Sequence, residues 1–154
     1  MFNALFDRFK TQSAPTPDQD DPLADNALAL AFAALLVEAA RSDDLYEPGE
    51  IAIIDRALKT KFSLDDAQAL ALRTKAESAQ SGATDIQRFT KVAKAMSSDE
   101  KIALIEELWE IVLSDGTRDP FEDTLIRRIC GLIYVEDRDS GLARARVETR
   151  LTQK

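Results

Sequence analysis

One acidic segment occurs twice in the chain in the same register. Residues Ser42-Asp43-Asp44-Leu45-Tyr46-Glu47-Pro48-Gly49-Glu50 and Ser114-Asp115-Gly116-Thr117-Arg118-Asp119-Pro120-Phe121-Glu122 align without a gap at an offset of 72 (115 minus 43). Both copies read Ser-Asp, three free positions, an acid, Pro, one free position and Glu, and each follows an apolar helical stretch. Downstream, Ile53-Ile54 falls on Leu125-Ile126, Arg56 on Arg128 and Phe62 on Tyr134. An internal duplication of this kind restricts the fold to two related units that bury their apolar faces together.

The periodicity makes those units helical. Apolar residues recur at spacings of three and four along almost the whole chain, no stretch alternates as a strand, and only 5 glycines and 5 prolines interrupt it. The expectation is an all-α, single-domain bundle of about seven to eight helices built from two pseudo-symmetric halves. Residues 1–10 place Phe2, Leu5, Phe6 and Phe9 on one face of a short amphipathic helix, and residues 11–21, with Pro15 and Pro17, read as a linker. The domain proper is expected over 22–150.

Within it, the alanine-rich stretch from Pro22 to Arg41 predicts a central helix. A second is expected from Pro48 to about Phe62, with Glu47 as N-cap and proline at the first helical position. Asp65 with Gln68 predicts a capping box that opens a helix to about Ala79, closed by Ser81-Gly82. Thr84 opens another that carries Ile86, Phe89 and Met96. Ser97 with Glu100 caps the second copy of the buried helix, to Ser114. Asp119-Pro120 restarts the chain as Glu47-Pro48 does, to about Tyr134, and Glu136 or Asp137 opens an Arg-rich helix to about Thr149.

Composition removes several functional classes. A net charge of -8 argues against a nucleic-acid partner, which needs a clustered basic face. The longest apolar run, Ala27 to Val37, has 11 residues, against roughly 20 for a membrane span, so membrane contact is not expected. With Cys130 as the one cysteine and no secretory pattern at the start, the cytoplasm is the expected compartment. The chain has no histidine, which excludes Ser-His-Asp and Cys-His relays and histidine-containing zinc sites, and it has no Gly-rich phosphate loop. Cys130, among Ile126 and Ile133, reads as a buried thiol and Trp109 as a core residue. The expected protein is not an enzyme.

The acidic turns remain. Asp43, Asp44, Glu47 and Glu50 in the first copy, and Asp115, Asp119, Glu122 and Asp123 in the second, form dense sets of hard oxygen donors of the kind Ca²⁺, Mg²⁺ or Mn²⁺ takes. Neither set has EF-hand spacing. The same letters also make helix caps: Glu47 and Asp119 at N-caps, with Glu50 and Glu122 complementing the positive helix end. Spacing leaves both readings open, and the separation of the two turns in space decides between them. For protein partners, the aromatic N-terminal helix offers its own bundle, a second copy, another protein or a membrane surface. Arg138, Arg144, Arg146 and Arg150 give the last helix a positive side that could meet an acidic partner, whereas Arg88, Lys91 and Lys94 read as a solvated stripe.

The two turns and the helices around them resemble the TerB-like family, named for bacterial tellurite resistance, and most closely its short stand-alone proteobacterial branch. The resemblance is carried by Ala33-Ala34-Leu35-Leu36-Val37-Glu38-Ala39-Ala40-Arg41-Ser42-Asp43 with Glu50-Ile51, and by Glu107-Leu108-Trp109, Val112-Leu113-Ser114-Asp115-Gly116 and Glu122-Asp123. Arg88-Phe89-Thr90 and Glu136-Asp137-Arg138-Asp139 add to it, over about residues 23 to 150. The resemblance implies a helical domain of two related halves with an acidic, metal-binding surface and a link to stress responses. It places the family's acidic positions on Asp43, Glu47, Glu50, Asp115, Asp119 and Glu122. Where the family's first loop has Asp-Gly, this chain has Asp43-Asp44, which removes the residue that most easily takes a positive φ and adds a carboxylate.

Overall fold

The structure is a computed structural model. It describes residues 22–42, 45–83, 85–114 and 120–153, with 22–26 and 120–122 described for their backbone alone. The expected N-terminal helix and linker lie outside these residues. Those described form helices α1 (Pro22–Ala40), α2 (Pro48–Phe62), α3 (Asp66–Gly82), α4 (Gln87–Ala93), α5 (Ser98–Leu113), α6 (Pro120–Ile133) and α7 (Asp137–Thr152), with no strand among them.

Local chemistry sets the helix starts. Asp65 Oδ1 accepts from the Gln68 N–H at 2.8 Å while the Asp65 N–H donates to Gln68 Oε1 at 3.0 Å, and Ser97 and Glu100 close the same reciprocal pair at 3.1 and 3.0 Å. Two ends differ from expectation. α3 continues through Ser81 to Gly82, and α7 runs to Thr152 rather than Thr149. Asp85 Oδ1 accepts from the Gln87 N–H at 2.8 Å, so α4 begins three residues after Thr84.

The duplication is visible as a three-helix unit, α1-α2-α3, repeated as α5-α6-α7. α1 packs most heavily on α3 and α5 on α7, while α1 and α5 meet between the halves. Equivalent positions are buried alike: Leu36 and Leu108, Ile54 and Ile126, and Ala57 and Ile129. The register slips once. α2 closes with Ser63 at φ 56° and α6 with Tyr134 at φ 66°, each followed by a bond from the next N–H to the carbonyl five residues back (Leu64 to Lys59, 3.1 Å; Val135 to Cys130, 2.9 Å). These closures are 71 apart (135 minus 64), so Tyr134 matches Ser63 and not Phe62. Phe62 packs edge-on against Phe32 with ring centroids 5.5 Å apart, whereas Tyr134 is 74% exposed.

Ion pairs give the helix directions. Lys59 meets Asp66 at 2.8 Å, Asp55 meets Arg73 at 2.6 Å and Tyr46 meets Glu77 at 2.6 Å, so α2 and α3 are antiparallel. Arg56 reaches Glu110 at 2.9 Å and Glu107 at 3.3 Å, while Lys61 reaches Glu100 at 3.3 Å, so α2 also runs antiparallel to α5. Leu28 and Ala29 of α1 line a cavity with Lys61 and Phe62 at the end of α2, so α1 is antiparallel to α2 as well; α1 and α5 therefore run the same way and end at the same pole.

Trp109 and Cys130 lie in the core as expected. Trp109 is 7% exposed, and its Nε1–H donates to Ser140 Oγ at 3.1 Å. Trp109→Phe keeps most of the packing and leaves Ser140 without that donor. A loss of about 1 kcal/mol is expected in urea unfolding, and an unchanged midpoint would show that the bond contributes nothing.

Candidate functional site

Both acidic segments leave their helices by the same device. Ser42 Oγ donates to the Ala39 carbonyl and Ser114 Oγ to the Ile111 carbonyl, each at 2.8 Å, and both serine N–H groups reach the same carbonyls at 3.3 Å. These hydroxyls end the preceding helices at equivalent points, immediately before Asp43 and Asp115. The chain restarts at Pro48 and Pro120, where the pyrrolidine ring suits the first helical position. Because α1 and α5 end at one pole, Ser42 and Ser114, which close those helices, both lie toward it.

The first segment has a firm downstream anchor. Tyr46 O–H donates to Glu77 Oε2 at 2.6 Å, Arg73 donates to the same oxygen at 2.9 Å and to Asp55 at 2.6 Å, and the Arg41 guanidinium lies 4.7 Å from the centre of the Tyr46 ring. Arg41 Nη1 also donates to Gln80 Oε1 at 2.7 Å and Ser81 Oγ at 2.9 Å, which joins the end of α1 to the end of α3. Burial, then the adjacent Glu77 carboxylate, pushes the Tyr46 phenol far above its usual value. Burial works against the Glu77 carboxylate, but hydrogen bonds from Tyr46 and Arg73 outweigh it and hold the group below its usual range.

The eight predicted site residues separate as follows. Glu47 is an exposed N-cap, and its N–H donates to Glu50 Oε1 at 3.2 Å; Glu50 is buried at 4% exposure, in the first turn of α2. Asp123 is half-buried in the first turn of α6, with Oδ1 shut off from solvent. Asp43, Asp44, Asp115 and Asp119 lie outside the described residues, as does the side chain of Glu122. Among the described residues no three thiol or carboxylate groups converge on a point that could hold a metal ion.

The duplication also pairs Glu38 with Glu110 and Arg56 with Arg128, each 72 apart. Glu110, its side chain 5% exposed, receives Arg56 at 2.9 Å and Arg150 at 3.2 Å. Burial opposes its charge, but the two guanidinium groups win and hold the carboxyl below its usual range. Burial instead raises neighbouring Glu107, where Arg56 compensates only in part. In the other half, Glu38 accepts from Gln80 Nε2 at 2.9 Å and shares a cavity of about 610 Å³ with Arg128. Ile86 and Phe89 line this cavity, where α4 packs on both α1 and α6.

The positive side of the last helix is largely spent within the molecule. Arg146 and Arg150 pair with Glu106 at 2.7 and 3.3 Å, Arg144 with Glu148 at 3.1 Å, and Arg138 with Asp139 at 3.2 Å. That surface is therefore not the open basic face read from the sequence. Burial places Cys130 at 1% exposure and raises its thiol, as its apolar neighbours predict.

The family model of tellurite resistance protein TerB matches residues 29–145, which takes in α2 to α6 whole and the greater part of α1 and of α7. No curated protein and no solved structure matches the chain. The match spans both copies of the repeated unit and both acidic segments, and the all-helical, two-halved architecture agrees with it: this chain belongs to the TerB family.

Proposed function

We propose that the domain is a non-enzymatic binding module that holds divalent cations on its paired acidic turns and couples them to protein partners in a cytoplasmic, tellurite-resistance-like stress response. One observation carries the reading: the helices that precede both turns, α1 and α5, run the same way and end at the same pole. Wherever two acidic turns lie close together their carboxylates repel each other, and a bound cation relieves that repulsion. Exposed Glu47, with Asp43 and Asp44 shortly before it in the sequence and the second set of Asp115, Asp119, Glu122 and Asp123, supplies hard oxygen donors of the type that Ca²⁺, Mg²⁺ or Mn²⁺ takes. Among the described residues no helix is long and apolar enough to cross a membrane.

Calorimetric titration with Ca²⁺, Mg²⁺, Mn²⁺ and Zn²⁺ tests it. Wild type is expected to bind at least one of the first three and to melt higher in its presence, and Asp43→Asn/Asp115→Asn is expected to lose both effects. Absence of heat and of any melting shift with all four ions would remove the metal. A second reading then stands, an adaptor whose acids are caps, which buried Glu50 and its bond from the Glu47 N–H favour.

A further inference from the structure

We propose that the outer face of α4 docks a short acidic segment of a partner protein. Arg88, Lys91 and Lys94 stand three residues apart, about 9 Å from first to last along the helix, and line a groove of about 350 Å³ with Gln87, Thr90 and Leu132. All three are exposed. Among the described residues none of them has a carboxylate within ion-pair distance, unlike the arginines of α2, α3 and α7. Their close companions are aromatic: Arg88 lies 5.3 Å from the Phe89 ring centre and Lys94 5.3 Å from that of exposed Tyr134.

Three cations thus line one groove on a protein whose acids outnumber its bases by 28 to 20. Carboxylates complement them, and half-buried Leu132 offers an apolar contact in the same groove. The extent of the patch chooses the partner class. A long polyanion such as a nucleic acid, or the surface of an anionic membrane, would overrun it into a surface of net charge -8, whereas a short acidic peptide stays within it.

The experiment is fluorescence anisotropy of a fluorescein-labelled Glu-Glu-Leu-Glu-Glu peptide with the full chain at low salt, about 50 mM, where surface charges are weakly screened. Arg88→Gln/Lys91→Gln/Lys94→Gln is expected to weaken binding by roughly tenfold. The charge-matched control Lys75→Gln/Lys101→Gln/Arg138→Gln is expected to stay within about twofold of wild type. Lys91→Glu alone should also weaken the complex, which keeps the test open if the triple variant folds poorly. Equal losses in variant and control would reduce the effect to net charge and overturn the proposal. So would failure of wild type to bind the peptide, or stronger competition by a single-stranded oligonucleotide or phosphatidylserine vesicles. A salt-sensitive dimer in sedimentation that the triple variant abolishes would assign the face to a second copy instead.

Discussion

Leu36→Ala and Leu108→Ala are each expected to destabilise the domain by about 2–5 kcal/mol, the largest single-site effects foreseen outside the site. Both side chains are completely buried, one in each of the central helices that run in the same direction between the halves. Truncation removes the transfer free energy of three carbons and leaves a cavity that a close-packed helix interface refills only in part. For a chain of 154 residues, about 3 kcal/mol corresponds to a fall in Tm of roughly 6–12 °C. Because the two positions are related by the repeat, similar losses are expected in thermal and urea unfolding. A cost below about 1 kcal/mol at either position would mean that the two central helices are not equivalent members of one core.

Arg73→Met is expected to cost about 2–3 kcal/mol and to extend acid sensitivity to higher pH. Arg73 is 14% exposed and bridges Asp55 and Glu77, whose side chains are 30% and 22% exposed. Removing it leaves two carboxylates facing each other beside the Tyr46 hydroxyl that anchors the first acidic segment. The folded-state pKa of Glu77 lies below its unfolded value. Its contribution is therefore present above the unfolded glutamate value, about 4.3, and is lost as pH falls through the lower folded value. Without Arg73, burial keeps opposing the charge while the Tyr46 hydrogen bond and Arg41 remain as the groups that favour it, so the folded value rises from its wild-type position and destabilisation begins at higher pH. Urea midpoints between about pH 3 and 7 read both effects; parallel wild-type and variant profiles would show that Arg73 does not set the charge of Glu77.

Much of the architecture was legible in the chain. The capping boxes at Asp65 and Ser97, proline at the start of α2 and α6, and the burial of Leu36, Ile54, Leu108 and Ile126 rest on interactions within four residues or on a helical period. Of the candidate site, Glu47 as N-cap and Glu50 in the first turn of α2 were readable for the same reason. The burial of Glu50 was not, because it depends on tertiary packing, nor were the clamp of Tyr46 by Glu77 and the Arg56–Glu110–Arg150 cluster, whose partners are 31 to 54 residues apart.

By itself the sequence determined the all-helical class, the two related halves and the places where most helices begin. These follow from local hydrogen bonding and the spacing of apolar side chains. Only the tertiary structure decided that α1 and α5 end at one pole, and which charges are left uncovered. The last helix, Arg-rich in sequence, spends its guanidinium groups on carboxylates of α5 and on its own, while the inconspicuous stripe of α4 keeps its positive face. The reason is geometric. Coulomb attraction falls steeply once charges are separated and solvated, so a charge is neutralised by what folding brings within a few ångströms.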